Sequence, residues 1–151
     1  MKYLICFFSG FFLFACTTAN VNKSNKSEVN MTSVNKSGVN ITSLEWRLVS
    51  VMSGSALLGA GNADVNSTLK VESDGRVHGN GGCNRFSGEA KIDGAKIKFE
   101  KVVATRMACL DSTIETALFK ALNEVDSFVI ESGDLMLKKG DDVIATFSSF
   151  R

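Results

Sequence analysis

From residue 44 onward, apolar and polar positions alternate in short runs that are repeatedly broken by Asp-Gly and Gly-Asp pairs. The first run, LEWRLV at 44–49, alternates as a half-buried strand does. A loop rich in Gly, Ala and Asn follows, over 53–66. Strands over 68–72 and 76–78 flank Ser73-Asp74-Gly75, and strands over 86–92 and 95–100 flank Asp93-Gly94. Asp-Gly supplies the positive-φ turn of a hairpin, so two hairpins are predicted. Strands over 128–131, 135–138 and 143–147 form a C-terminal meander. One stretch changes period: Ile114, Leu118, Ala121, Leu122 and Val125 recur at helical spacing. Ser112 three residues before Glu115 has the form of a capping box, which sets the helix start. The order strands, helix, strands predicts an α+β domain over 44–151. It is mostly antiparallel β, a curved sheet or open barrel with one packed helix.

The first 43 residues follow none of these periods. Lys2 precedes an apolar run of twelve, YLICFFSGFFLF, too short to span a bilayer comfortably and suited to the core of an export signal. Leu13-Phe14-Ala15-Cys16 resembles the lipobox of bacterial lipoproteins, with Phe14 bulkier than usual. That resemblance implies a signal peptide over 1–15 and acylation of Cys16, palmitate being among such chains. Two or three chains at about 0.8 kcal/mol per buried methylene give a firm anchor. It also implies a cell-envelope address. Thr17, where an aspartate would resemble an inner-membrane retention signal, makes the periplasmic face of the outer membrane the expected destination.

Residues 17–43 are polar and repetitive, with VNMTS, VNKSG and VNITS in succession. Asn, Ser and Lys compete with regular structure, and the sparse valines make no core. A disordered tether over 16–43 is predicted, its ends about 25–30 Å apart as a flexible coil. The Asn-X-Ser/Thr triplets at Asn22, Asn25, Asn30, Asn35 and Asn40 are by-products of the repeat, not glycan acceptors, beside a bacterial lipobox.

Charge narrows the function classes. The chain holds 17 Lys and Arg against 16 Asp and Glu, a balance that gives no footprint for nucleic acid. Of its four cysteines, Cys6 leaves with the signal and Cys16 carries lipid, so Cys83 and Cys109 remain in a compartment that permits disulfides. A bond between them suits a small core, since closing a loop of that size stabilises by about 3.5 kcal/mol. Two buried free thiols are the alternative, as is a thiol redox pair, although the Cys-x-x-Cys spacing is absent.

GNGGCNRFSG at 79–88 invites a nucleotide reading, which fails. No Gly-Lys-Ser/Thr ends a phosphate loop, and the stretch opens a strand rather than a helix. Glycines clustered in a sheet mark a bend or a close approach instead. His78, Cys83 and Cys109 could ligate a metal, but their spacing is not that of a finger or ribbon. His78 also lacks any nucleophile elbow around it. No catalytic residues, cofactor or metal are therefore assigned.

Gly82-Cys83-Asn84, Phe86-Ser87-Gly88, the Asp93-Gly94 turn, Ala104-Thr105-Arg106-Met107-Ala108-Cys109 and the helix with Glu115 occur in one order. Together with the opening LEWRL, they resemble the META domain, or HslJ-like, family of heat-inducible or secreted envelope proteins. The resemblance implies a strand-rich domain with a helix against a curved sheet and brings no catalytic activity. It associates such domains with heat shock, novobiocin resistance and secretion, and it implies that the two cysteine motifs meet. The expected function is a non-enzymatic, lipid-anchored module for envelope stress or maintenance. It binds another envelope protein or a small apolar ligand through Asn84, Arg85, Arg106 and Met107. The alternative is a thiol redox enzyme or sensor using Cys83 and Cys109. For the four surface residues the competing structural roles are a turn cap for Asn84, a core position for Met107 and solvation for both arginines.

Overall fold

The computed structural model describes residues 40–60 and 66–150. The export signal, Cys16 and the tether as far as residue 39 lie outside them. Alternation shapes most of the strands that are described. In β1 (Glu45–Ser53), Trp46 and Leu48 point inward. A bulge between Leu48 and Ser50 then shifts the phase, so that Val51 rather than Ser50 is the next fully buried side chain. β2 (Ala56–Gly59) returns along β1 through a turn in which Gly54 takes φ +63°. The sequence pattern predicts only a loop there, because four residues, three of them exposed, carry too little alternation to register as a strand. β1 also extends four residues past its expected end.

β3 (Thr68–Val71), β4 (Arg76–Asn80), β5 (Arg85–Asp93) and β6 (Lys96–Ala104) pair in sequence, each antiparallel to the last. The helix α1 (Thr113–Glu124) intervenes before β7 (Ser127–Glu131), β8 (Asp134–Lys139) and β9 (Asp142–Phe150), which form the C-terminal meander. β1 pairs with both β3 and β9, so the curved sheet closes on itself as a ring, with β2 as a spur. The ring is weakest between β6 and β7. They share one register pair, Lys96–Ser127, flanked by bonds from Ile97 N to Asp126 O and from Phe128 N to Ala95 O.

α1 packs against β1, β6 and β9. Leu118 and Leu122 are fully buried beside Ala117 and Ala121, in a core with Trp46, Leu69, Ile97, Phe128, Leu135, Leu137 and Phe147. The mostly antiparallel sheet with one packed helix is the predicted class of fold. Ile41 belongs to this core although it lies upstream of the expected boundary at 44. It has no exposed surface, and its carbonyl accepts from Trp46 Nε1 at 2.8 Å. One apolar residue in a polar repeat is a faint signal, so the packed unit begins earlier than the pattern suggested.

Candidate functional site: a buried asparagine, a disulfide and an open groove

Between β4 and β5 the chain makes a tight turn over 81–84. Gly82 there has φ +125°, a conformation that favours glycine. Gly81 N donates to Asn84 O at 2.7 Å, and Gly82 N to Asn80 Oδ1 at 2.7 Å. From below, fully buried Ser67 donates its hydroxyl to Gly81 O at 2.9 Å. Glu115 closes the turn from the helix side. Its Oε2 accepts from Asn84 N at 2.6 Å and Cys83 N at 3.2 Å, and its Oε1 from Asn84 Nδ2 at 2.7 Å. A buried carboxylate is tolerated because donors surround it.

The capping box expected of Ser112 and Glu115 is therefore not formed. Ser112 makes no side-chain cap bond, and Asp111 Oδ1 accepts from Thr113 N at 2.8 Å instead. The Thr113 hydroxyl, with that N–H, holds the Asp111 carboxyl below its ordinary pKa. Glu115 gives up a local bond for three long-range ones. Gly81 makes room for it: a Cβ there would lie 2.7 Å from Glu115 Oε2 and 3.0 Å from Phe119 Cζ.

Asn84 joins this turn to the segment after β6. Its Oδ1 accepts from Met107 N at 2.7 Å and Thr105 Oγ1 at 2.9 Å, and Nδ2 also reaches Cys109 Sγ at 3.4 Å. The amide orientation follows from chemistry, since Met107 N–H can only donate and the carboxylate can only accept. Cys83 and Cys109 are bonded, with Cα atoms 6.1 Å apart. Both are half-buried. The segment from 105 to 109 is thus held to the glycine turn twice, once through Asn84 and once covalently.

Above this joint lies an open groove of about 610 Å³. One wall is the end of β6 and the segment after it, from Val102 to Met107. The other is the first two turns of α1, with Phe119 at its inner end and Asn84 and Cys109 between the walls. Phe119 packs edge-on against Phe86, centroids 5.6 Å apart. Of the four residues assigned to a binding surface, Asn84 is a buried hub and not a turn cap at the surface. Met107 is 63% exposed and so not part of the core. Arg85 and Arg106 are exposed. Ser67, Val102, Val103 and Phe119 were not anticipated. Ser67 and Phe119 carry no local signal, whereas the two valines prolong a strand that had been ended at residue 100. His78 stands on β4 with Glu72 as its partner, Nε2 to Oε1 3.0 Å. Among the described residues no three His, Cys, Asp or Glu side chains gather as a metal site requires.

A ring of antiparallel strands, one helix packed on it and a disulfide-braced glycine turn together define a class of small β-rich domain. Residues 39–149 match the META domain family, and the chain belongs to it. No curated protein matches the chain. Among solved structures, the chain resembles a protein from Burkholderia xenovorans determined by NMR. The two are 23% identical with a TM-score of 0.62, over 73% of this chain and 83% of that one. It also resembles a DUF4847 family protein from Bacteroides vulgatus, at 17% identity and TM-score 0.51, over 72% and 93% of the two chains. At such identities the likeness concerns the fold alone.

Proposed function

We propose that the head is a non-catalytic binding module whose groove is shaped by a thiol-responsive clasp, Cys83–Cys109, and that lipid on Cys16 holds it in the bacterial envelope. One observation carries the reading. The bond joins the groove's floor at the glycine turn to the segment bearing Arg106 and Met107, and Cys109 lines the groove. The bonded pair speaks more directly for thiol chemistry than for docking alone. Asn84 still ties Thr105 and Met107 in place when the bond is open, so reduction alters the groove without releasing the whole segment. The anchor and the envelope address rest on the sequence features around Cys16.

Thiol exchange with a partner is the second reading, favoured by the position of Cys109 on the groove. A thiolate of a partner dithiol attacks Cys109 Sγ and breaks the S–S bond. Cys83 departs as a thiolate and takes a proton. The partner's second thiolate then displaces Cys109, which also becomes a thiol. The head's disulfide is reduced by two electrons, and the partner dithiol is oxidised to a disulfide.

Equilibrating the intact protein in a graded dithiothreitol series, with alkylation and mass measurement at each step, tests both readings. Reversible opening while the circular dichroism of the sheet persists is expected. Opening only with unfolding would reduce the pair to a structural brace. Multiple turnover with a dithiol protein would favour the second reading. The same masses report acylation at Cys16. Crosslinking from a photoreactive group at position 85 in envelope extracts identifies the partner; absence of any specific adduct removes the docking role.

A further inference from the structure

β6 has one edge with no strand partner. It meets β7 only at Lys96–Ser127, and from there to Ala104 no strand among the described residues pairs with its outer side. Its upper end is bent at a bulge opposite Gly88, where Lys101 takes φ 54°. Past the bulge, Thr105 N donates to Arg85 O at 3.0 Å. Alternation in an antiparallel ladder therefore turns the N–H and C=O of Ala104 away from β5, on the outer side of the strand. That stretch of β6 forms one wall of the groove, and α1 forms the other.

An unpaired edge is a template for another strand, and soluble proteins ordinarily blunt such edges. Lys96, Lys98 and Lys101 are exposed along the first part of β6 in that way, but past the bulge the exposed side chains include large apolar ones: Val103 is 65% and Met107 63% exposed, and Leu110 is fully exposed. At the same end stand Arg85 and Arg106, both exposed. Neither guanidinium makes a hydrogen bond or ion pair with another described residue. Several other surface cations do find carboxylates, as Lys101 finds Glu89 at 2.9 Å and Lys139 finds Glu124 at 3.0 Å. An open strand edge, apolar side chains along it and two unpaired arginines at one end select an extended, acidic, partly apolar segment. The chain's own repeats have the wrong sign, with Lys23, Lys26 and Lys36 against Glu28.

We propose that the groove between β6 and α1 takes an extended peptide segment of a partner protein. The segment adds as a strand to the outer edge of β6, with carboxylates on Arg85 and Arg106 and apolar side chains against Val103, Met107 and Phe119. Main-chain bonds provide general affinity, and alternate side chains provide selectivity, as in other strand additions beside a helix. The proposal rests on the groove being a recognition surface and specifies what it recognises.

The test uses fluorescein-labelled nine-residue peptides of alternating valine and threonine, titrated into the intact protein in detergent and followed by anisotropy. One peptide ends in two aspartates and another in two lysines, and two further acidic peptides are N-methylated at either the odd or the even amides. The acidic peptide is expected to bind at least tenfold more tightly than the basic one, with the difference shrinking in high salt. Arg85→Ala with Arg106→Ala should weaken it about tenfold. One N-methyl series should lose binding and the other keep it, because an added strand uses alternate amides. Ala104→Pro, which removes an outward N–H and no bond to β5, should also abolish binding. Equal behaviour of the two N-methyl series, or equal affinity of acidic and basic peptides, overturns the proposal whether or not the proline variant folds. Failure of the thiol reading looks different: the acidic peptide would bind the reduced and oxidised protein alike.

Discussion

Asn84 uses all four hydrogen-bonding positions of its amide, two on donors from the 105–107 segment, one on Glu115 and one on Cys109. Changing it to aspartate should therefore be worse than losing size. Asn84→Asp sets a carboxylate oxygen against Glu115 Oε1, where Nδ2 stood at 2.7 Å. We expect a loss of about 2–4 kcal/mol at pH 7 in urea unfolding, partly regained on acidification as the two carboxylates share a proton. Gly81→Ala forces a methyl against Glu115 and Phe119 and should cost about 1–3 kcal/mol by the same measurement. Reduction of Cys83–Cys109 should lower stability by about 3.5 kcal/mol, read from unfolding midpoints with and without reductant. The glycines and cysteines marked this region in the sequence, because rare residue types stand out. The role of Asn84 did not show: an asparagine at a turn and one at the centre of a network look alike until Thr105 and Met107 are placed beside it. Glu115 looked like a local cap for the same reason, since a residue at the third helical position can reach either its own N-terminus or a neighbouring turn.

At the scale of elements, α1 ties β6 to β1 and β9, which β6 otherwise reaches only through the other strands of the ring. Its stripe was legible because Leu118 and Leu122 recur at helical period, and both are buried as expected. Leu118→Ala empties a position between helix and sheet and should cost about 2–5 kcal/mol, checked by thermal and urea unfolding. Strands were legible where a period of two ran between Asp-Gly turns. They were misjudged where bulges broke the period: β1 and β6 each change phase in midcourse and each run four residues beyond their expected ends. A bulge rephases the inward side chains, so a strict alternation count stops at it. The groove escaped notice for that reason, because its wall lies beyond the bulge of β6.

For the whole molecule, surface charge adds a modest and predictable pH dependence. The Arg76 N–H holds the Asp74 carboxyl below its usual pKa; the Lys91 ammonium does so for Glu100, Lys139 for Glu124 and the Gly140 N–H for Asp126. Their folded pKa values lie below the unfolded ones. The stabilisation is therefore complete above the unfolded carboxylate range, about pH 4, and fades as pH falls through the folded values. Unfolding midpoints should decline only in that acid range, with less decline to find in high salt because the groups are exposed. Ring closure itself was not legible, since no local pattern announces that the first strand pairs with the last. Glu45 lies opposite Phe150, and Val51 opposite Ala145. A chain made from its N-terminus presents β1 first and β9 last. The opening strand then has one flank waiting until the final residues arrive, and folding speed is governed by that longest-range encounter. Removing 142–150 would leave β1 and β8 each with an uncovered flank, so these nine strand residues act as the latch by which the newly made domain stops being sticky.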